Sequence, residues 1–559
     1  MSKTNKIEQL QKLTFKKFME YTNTEYETAL FFREYTTVKY IHSKSYNYKF
    51  NDKTKLWEEI NEDVIGGGIA MFFLDIQPII IKELNDTIKK LNEKLYTAED
   101  EQKEKIKQNI TQTESNKKTF LSSVKFLSSK KSSTNIIYFL KPMITIDEFQ
   151  SKLNRKYPYY LPIKNNMIVD LRNGRVIHRE RKHYFTFFCD VEITKTKTNF
   201  FNDFISKIMC EDMEAVKYLQ KILGYCLTGD ITGRVFFIWS GIGKNGKSVL
   251  LNLMKRILGS SYKQTTKDVF INSNKSSGCE VVELKDARLA SYSETNSKEC
   301  LNESLIKMIS GDDPITARAL YKSPITFDPM CKLLLLTNHK PTFNGEDLAN
   351  IDRVRLVQFP ARFVQCPNPK KKSEYKQIDN MKDILINKHI DEFFTFCVEG
   401  AIEFYKDSQF KPPSFIKDVQ DEYLKKNASI STWFENALII TEDDADKIDR
   451  SKLYDSYMNY CVELGIEAFK KSVLFEKIEQ ILETKAQKNN GIYKFKGIKF
   501  IEQENNEIIN NEENELINKK QKNSVLKFNY PIKKKDDHGL DEDLIDEEEQ
   551  EKINNFLRK

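Results

Sequence analysis

Glycine is scarce in this chain, 19 of 559 residues. A backbone that must turn tightly or approach a ligand closely has few places to do so, which makes any glycine cluster informative. The nine cysteines (Cys189, Cys210, Cys226, Cys279, Cys300, Cys331, Cys366, Cys397, Cys461) include no C-x-x-C spacing. That pattern argues against a zinc site and against a disulfide framework. Free thiols in a reducing, intracellular compartment are expected. No signal peptide is read at the N-terminus. There is also no long uninterrupted apolar run. The most apolar stretch, 65–81, is broken by Asp75 and Gln77, so no membrane span is expected. Charge of one sign does not dominate. The 89 basic and 82 acidic residues leave a net charge of +7, which on its own fits nucleic-acid binding only weakly.

The length supports three or four domains, and 40% hydrophobic content supports real cores. Three of the scarce glycines fall within eight residues: Gly241, Ile242, Gly243, Lys244, Asn245, Gly246, Lys247, Ser248. This run fits G-x-x-x-x-G-K-[ST], the phosphate-binding loop. The apolar run 235–239 before it suits a buried parallel strand. Residues 249–258, from Val249 onward, are apolar at helical spacing and end at Gly259, a C-terminal signal. Strand, glycine loop, helix is the context this motif requires. Backbone N–H groups and the helix N-terminus favour an anion there. The expected ligands are ATP and Mg²⁺, with Lys247 reaching the β/γ-phosphates and Ser248 holding the metal.

Hydrolysis also needs an acid, a group that places water, and a charge that neutralises the transition state. Residues 288–294 read as a strand ending in Glu294, a candidate to polarise water and to contact Mg²⁺. Ser293 stands where an aspartate is usual. Residues 332–338 read as a buried strand ending in Asn338, whose amide can bond both γ-phosphate and water. Arg353 and Arg355 follow as candidate fingers for a neighbouring subunit. Between the two strands, 311–327 read as a β-hairpin with Lys322 at or near its tip and Arg318 on the same segment, candidates for gripping a DNA phosphate.

Along the chain, 1–44 read as an N-terminal extension. Residues 45–199 read as a mixed α+β domain with a hairpin turning at Asn51-Asp52, a helical insertion at about 80–125, and short strands around an Asn173-Gly174 turn. Alternating strands and helices over 200–364 predict an α/β nucleotide-binding core. Residues 365–430 read as helical. Residues 431–503 read as a small unit with a helix over 451–461, a second helix capped by Ser472, and a hairpin turning near Gly497, a winged-helix-like order. The charged segment 504–559 reads as a disordered tail.

These stretches resemble superfamily 3 helicases, and more closely the poxvirus-type primase-helicase family with its phage and plasmid relatives. The resemblance is carried by GIGKNGKS, SETN (293–296), LIKMISGDDPITARALYKSPITF (305–327), KLLLLTNHKP (332–341) and DRVRLVQF (352–359). Weaker similarity runs through WEEINED, LPIKNNMIVDLRNGRVIHRER and GAIEFYKDSQFKPP, so that about 45 to 500 is covered. The resemblance implies an AAA+-like core assembled as a ring, usually a hexamer. It implies ATP-driven translocation on single-stranded DNA and unwinding at forks, typically 3′ to 5′, in replication of a virus or plasmid within the host cytoplasm or a viral replication site. Lys247 and Ser248 take the phosphate and metal roles, Glu294 the acidic role, Asn338 the sensor role, and Lys322 the hairpin role. Arg353 falls on the finger position. Relatives often carry adjacent arginines there, whereas this chain has Asp352-Arg353-Val354-Arg355, so both arginines stand as candidates. Relatives often carry an N-terminal primase domain. Only 44 residues precede the matched region, so no primer synthesis is expected, and a separate primase or polymerase is a candidate partner. The alternative is an ATP-dependent DNA-loading factor without processive unwinding.

Overall fold

Apolar residues at helical spacing close the N-terminal unit. The computed structural model describes residues 3–501 apart from 272–277, 294–300, 322–323, 342–351, 428, 442, 444, 464–467, 483, 485 and 490–491. Helices α1 (Phe15–Tyr21) and α2 (Glu25–Tyr35) lead in, and Thr24 with Glu27 forms a capping box on α2. Then come α3 (Glu62–Thr97), α4 (Asp100–Leu127) and α5 (Lys130–Ile144). Ile65, Ile69, Phe73, Ile76, Ile80 and Leu84 form the buried stripe of α3. Phe18 wedges edge-on between Phe73 and Phe120, at 6.3 and 4.9 Å. Residues 1–44 are therefore no appendage: Phe18, Phe31 and Phe32 belong to this core. The helical hairpin also begins at Glu62, well ahead of residue 80. The apolar run over 65–81 is its first half. By length and composition alone α3 is long and apolar enough to cross a membrane, with mean hydropathy 1.9 over its most apolar window, and its stripe here packs against the other helices.

Two small antiparallel sheets follow from turn chemistry. Strands β1 (Tyr40–Ser43), β2 (Tyr46–Asn51) and β3 (Leu56–Ile60) pair in order, with Asn51 opposite Leu56, so the turn falls where Asn51-Asp52 places it. Strands β4 (Tyr160–Ile163), β5 (Met167–Asp170) and β6 (Val176–His178) form the second sheet. Buried Arg179 joins the two, donating to Thr54 O at 2.8 Å and Ile163 O at 3.1 Å.

The next unit is built on parallel strands buried on both faces. Helices α6 (Asn199–Ile208) and α7 (Met213–Leu227) precede β7 (Phe236–Ser240), α8 (Lys247–Leu258), β8 (Tyr262–Gln264) and β9 (Leu289–Ser293). The hairpin β10 (Ile315–Ala317) and β11 (Ile325–Phe327) comes next, then β12 (Lys332–Thr337) and β13 (Val354–Gln358). The five-stranded sheet is all parallel in the order β13-β7-β12-β9-β8. Strand period two splits its side chains between two cores. Phe237, Trp239, Leu334 and Leu336 join α7 and α8 on one face, and Phe236, Ile238, Leu333 and Leu335 face Ile306 and Tyr423 on the other. This is a mixed α/β architecture with a parallel sheet.

Residues 365–430 are not wholly helical. Arg362–Val364 (β14) and Glu374–Lys376 (β15) form a small parallel pair across the Pro367 and Pro369 loop, because proline keeps that loop from continuing a helix. Helices α9 (Met381–Lys388), α10 (Ile390–Asp407) and α11 (Ser414–Asn427) follow. Helix α10 crosses α7 backbone to backbone: a Cβ on Gly224 would stand 2.0 Å from Ala401 N, and one on Gly400 1.9 Å from Gln220 O.

The C-terminal unit corrects the sequence reading in register. Its helices are Ser429–Ala437, Arg450–Glu463 and Lys471–Ile481, the last starting one residue before Ser472, so Ser472 is not its cap. Strands β16 (Leu438–Ile440), β17 (Lys447–Asp449), β18 (Gln487–Asn489), β19 (Ile492–Lys496) and β20 (Ile498–Phe500) form two sheets, β17-β19-β18 and β16-β20. The hairpin is β18–β19, with Asn489 opposite Ile492, and not a turn at Gly497. Gly497, at φ 71°, instead kinks one continuous path between two partners and bonds Asp446 O and Thr441 N. The segment 504–559 lies outside the described residues.

Candidate functional site

The C-terminal ends of β7, β12 and β9 lie side by side. Ser240 is opposite Thr337, and Leu336 is opposite Ser293. The chain leaves β7 through Gly241 to Gly246 and enters α8 at Lys247. Gly246 sits at φ 87° in the N-cap position and offers no side chain to the first helical N–H groups. Those donors point into a cleft of about 270 Å³ lined by the loop, Lys247, Ser248, Ser293, Thr337 and Asn338. An uncapped helix N-terminus facing a cavity favours an anion through its orphan N–H groups and its dipole.

Lys247 is buried, and its Nζ donates to Gly241 O at 2.7 Å, Thr337 O at 3.2 Å and Asn338 Oδ1 at 3.2 Å. Burial, with no carboxylate beside it among the described residues, pulls its ammonium down to about 8. Asn245 is buried too, and its Nδ2 has no partner among the described residues. A Cβ on Gly241 would stand 2.1 Å from that nitrogen and 2.9 Å from Phe359 O, so only glycine fits. Ile242 is 92% exposed at the loop crest, and Lys244 holds φ 52° while its carbonyl accepts from Phe363 N at 2.7 Å. Gly243 is half-buried, Ser248 is exposed beside Lys247, and Val249 is half-buried. An orphaned buried amide, an uncapped helix and a recessed ammonium fit a phosphate chain, and the Ser248 hydroxyl offers an oxygen of the kind a hard divalent cation takes.

Of the residues read from sequence, Lys247, Ser248 and Asn338 meet here. Glu294 follows Ser293, which lines the cleft, but Glu294 lies outside the described residues. The hairpin exists, with Thr316 opposite Thr326, and beyond it Leu320 and Tyr321 are 72% and 99% exposed. Lys322 lies outside the described residues, while Arg318 is described, its carbonyl accepting from the Cys279 thiol at 3.8 Å. Arg353 and Arg355 are not brought to the loop of their own chain. Val354 pairs with Phe236, so both arginines lie toward the start of β13, and Gln358 at its far end meets Ser240 beside the loop. A five-residue strand separates Arg353 from that end by roughly 16 Å. The Arg355 Nη1 donates to Asp352 O at 2.6 Å and Val354 O at 2.9 Å, and burial lowers its pKa, offset in part by Tyr218 and Asp352.

Sequence reasoning missed two features. Arg155 reaches from the segment before β4 to the base of the hairpin, bonding Asp286 Oδ1 at 2.8 Å, Asp328 O at 3.2 Å and Lys285 O. No motif announces it. Beside the loop is also a second, more apolar pocket that includes Phe204, Phe363 and Met381, residues far apart in sequence and joined only by the fold.

Two family models match the chain: "D5 N terminal like" over 29–210, and a family of unknown function (DUF5906) over 239–353, which spans the loop through Arg353. The chain is 33% identical over 174 residues to "Putative helicase L207/L206" of Acanthamoeba polyphaga mimivirus, covering 31% of this chain and 18% of that protein. It is 28% identical over 188 residues to "Putative helicase 022R" of Frog virus 3, covering 31% and 19%. It is 22% identical over 234 residues to "Putative primase C962R" of African swine fever virus (isolate Warthog), covering 39% and 24%. The chain thus spans about a fifth of the length of these relatives. Among solved structures, the apo C-terminal region of NrS-1 aligns at TM-score 0.35 and 12% identity, covering 63% of this chain and 85% of that one. The family match over 29–210 and the viral relatives support kinship with a poxvirus-type primase-helicase family, and suggest an enzyme of the replication helicase or primase kind.

Proposed function

We propose that this chain is an ATP-dependent DNA helicase of the superfamily 3 type, with an AAA+-like P-loop core acting in viral or plasmid genome replication. The observation that carries the reading is the meeting of Lys247 with Asn338 behind an uncapped glycine loop, on the ends of adjacent parallel strands. In this reading the loop N–H groups and Lys247 hold the β- and γ-phosphates of ATP. Asn338 bonds the γ-phosphate and the attacking water, and Glu294 polarises that water. Ser248 and Glu294 are the residues to hold Mg²⁺, which when bound neutralises charge on the phosphoryl oxygens.

The protein works as a homo-oligomeric ring, with six subunits the expected number. Arg353 serves the neighbouring subunit's site, which fits its distance from its own loop. The hairpin that carries Arg318 and Lys322 grips single-stranded DNA at the fork. The C-terminal helices and hairpin act as a winged-helix-like module, and a separate primase or polymerase completes the replication machinery. The setting is intracellular and without a membrane role.

The test is DNA-stimulated ATP turnover and strand displacement on a tailed duplex, wild type beside Lys247→Ala. A helicase gives an ATP-dependent displaced strand that the variant does not. Turnover without displacement favours the loading factor, and absence of ATP turnover by the assembled wild-type protein overturns both.

A further inference from the structure

We propose that Arg155 is a positioning residue for the β10–β11 hairpin: it fastens the root of that hairpin to the N-terminal unit, so that a strand gripped by the hairpin is pulled against a fixed base. This inference rests on the helicase reading and adds to it how the hairpin is tied to the rest of the chain.

The hairpin cannot hold its own position. It pairs only Ile315 with Phe327, Thr316 with Thr326 and Ala317 with Ile325. An isolated two-stranded hairpin is marginal in water, so its geometry comes from what its root is attached to. Ile315, Ala317 and Phe327 join the core on one face of the parallel sheet. A cleft of about 720 Å³ lies between the hairpin and the N-terminal unit, lined by Lys44, Tyr46 and Gln150 from one and by Pro314, Ala319 and Thr326 from the other. Arg155 lines that cleft and bridges its two sides.

The Arg155 Nε donates to Asp328 O at 3.2 Å, directly after β11. Its Nη1 donates to Asp286 Oδ1 at 2.8 Å and its Nη2 to Lys285 O, both just ahead of β9. The guanidinium also lies over the Phe327 ring, 5.9 Å from the centroid. One planar group thus ties the end of the hairpin to the turn that leads into the sheet, on a side chain only 10% exposed. A fork of donors can span these partners, whereas a point donor cannot. The residue before it is locked in turn. Asn154 holds a left-handed backbone at φ 60°, its Nδ2 donates to Thr186 Oγ1 at 2.7 Å, and its Oδ1 accepts from Thr186 N at 2.9 Å.

The partners of Arg155 precede the starts of β9 and β12, and the phosphate cleft lies at the far ends of those strands. A five-residue strand puts roughly 16 Å between the two. Loss of Arg155 therefore loosens the hairpin and spares the ATP site.

The experiment compares the full chain with Arg155→Ala and Asp286→Ala. The Asp286 carboxylate is half exposed, so its removal takes away one anchor without opening a core. Hydrogen exchange is read in peptides covering 315–327 and 332–337, and ATP turnover is read against the concentration of a single-stranded oligonucleotide. Arg155→Ala is expected to speed exchange in the hairpin by about tenfold while β12 stays within about twofold of wild type. DNA-free kcat is expected to stay within about twofold, while the oligonucleotide concentration for half-maximal stimulation rises by about tenfold. Asp286→Ala is expected to move the same two measures in the same direction by about threefold, and it decides alone if Arg155→Ala does not fold. Faster exchange in β12 together with a lower DNA-free kcat means that Arg155 only holds the fold, and overturns the inference. Hairpin exchange or half-maximal stimulation that neither variant changes overturns it as well, and leaves the helicase reading standing. A wild type whose ATP turnover does not respond to the oligonucleotide overturns the helicase reading, and this inference with it.

Discussion

Lys247 Nζ lies 3.2 Å from Asn338 Oδ1, across the gap between the first turn of α8 and the end of β12. The lysine is held by that amide and by the carbonyls of Gly241 and Thr337. A triphosphate that takes over the ammonium would release the amide toward the terminal phosphate. Lys247→Ala is therefore expected to abolish ATP turnover. Asn338→Ala is expected to retain nucleotide binding within a few fold while kcat falls by about 10²–10³, the usual loss for one preorganised donor. Steady-state ATPase assays check both. An Asn338→Ala variant with wild-type kcat would remove the sensor role.

Burial holds the Lys247 ammonium down to about 8, against an ordinary value of 10.5. A bound polyanion favours the charged form and raises that pKa, so binding takes up a proton between about pH 8 and the bound value. The sign follows: nucleotide affinity falls as pH rises through this window, by about tenfold from pH 8 to 9.5. Calorimetry in buffers of different ionisation enthalpy reads the uptake directly. Proton release on binding at pH 8.5 would contradict this account.

Much of the parallel sheet was legible because its strands are continuous apolar runs, and the loop because few glycines compete with it for notice. Residues 236–240 and 332–337 form strands close to where hydrophobicity placed them. Register was harder. The alternation over 492–500 suggests a hairpin at Gly497, yet Asn489 pairs with Ile492, and the Asn-Gly dipeptide between them in sequence is the stronger two-residue hairpin signal. The helical insertion reads from about residue 80, whereas α3 begins at Glu62: Ile65, Ile69, Phe73, Ile76 and Ile80 carry its buried stripe further toward the N-terminus, and Asp75 and Gln77 fall off that stripe. The pocket at Phe363 was invisible, since Phe204, Phe363 and Met381 have no common motif.

The glycine pair that seats the sheet has a sharp stability consequence. Gly224 and Gly400 let α7 and α10 touch backbone to backbone, and an added Cβ at either position would meet main-chain atoms within 2.0 Å. Backbone cannot rotate away as a flexible side chain can, so the helices must separate. Gly224→Ala and Gly400→Ala are each expected to cost about 1–3 kcal/mol or more, where the same change at an open helix position gains about 0.5–1 kcal/mol from helix propensity. Denaturant unfolding followed by circular dichroism measures the cost. Gly67→Ala, where a Cβ meets nothing within 4 Å, serves as the control and is expected to be neutral or slightly stabilising.

The two arginines at the start of β13 differ in position. Arg355 is fixed to the carbonyls of Val354 on its own strand and of Asp352 just before it, and is partly buried, so its guanidinium braces the sheet edge. Arg353 stands two residues earlier, just ahead of the strand and roughly 16 Å from its loop-side end. If a finger operates, Arg353 delivers it across a subunit boundary. Arg353→Ala is expected to retain nucleotide binding and lose about 10³ or more in kcat. Arg355→Ala is expected to act mainly through stability. Mixing gives the decisive readout. Arg353→Ala subunits keep Lys247, and Lys247→Ala subunits keep Arg353, so each is inactive alone. In mixed rings about one interface in four pairs an intact Lys247 with an intact neighbouring Arg353 and should regain turnover, because the two groups act on one site from different chains. Recovery of activity on mixing, with co-assembly verified by native mass, is the expected outcome. Silence in verified mixed rings would mean that this arginine does not act in trans.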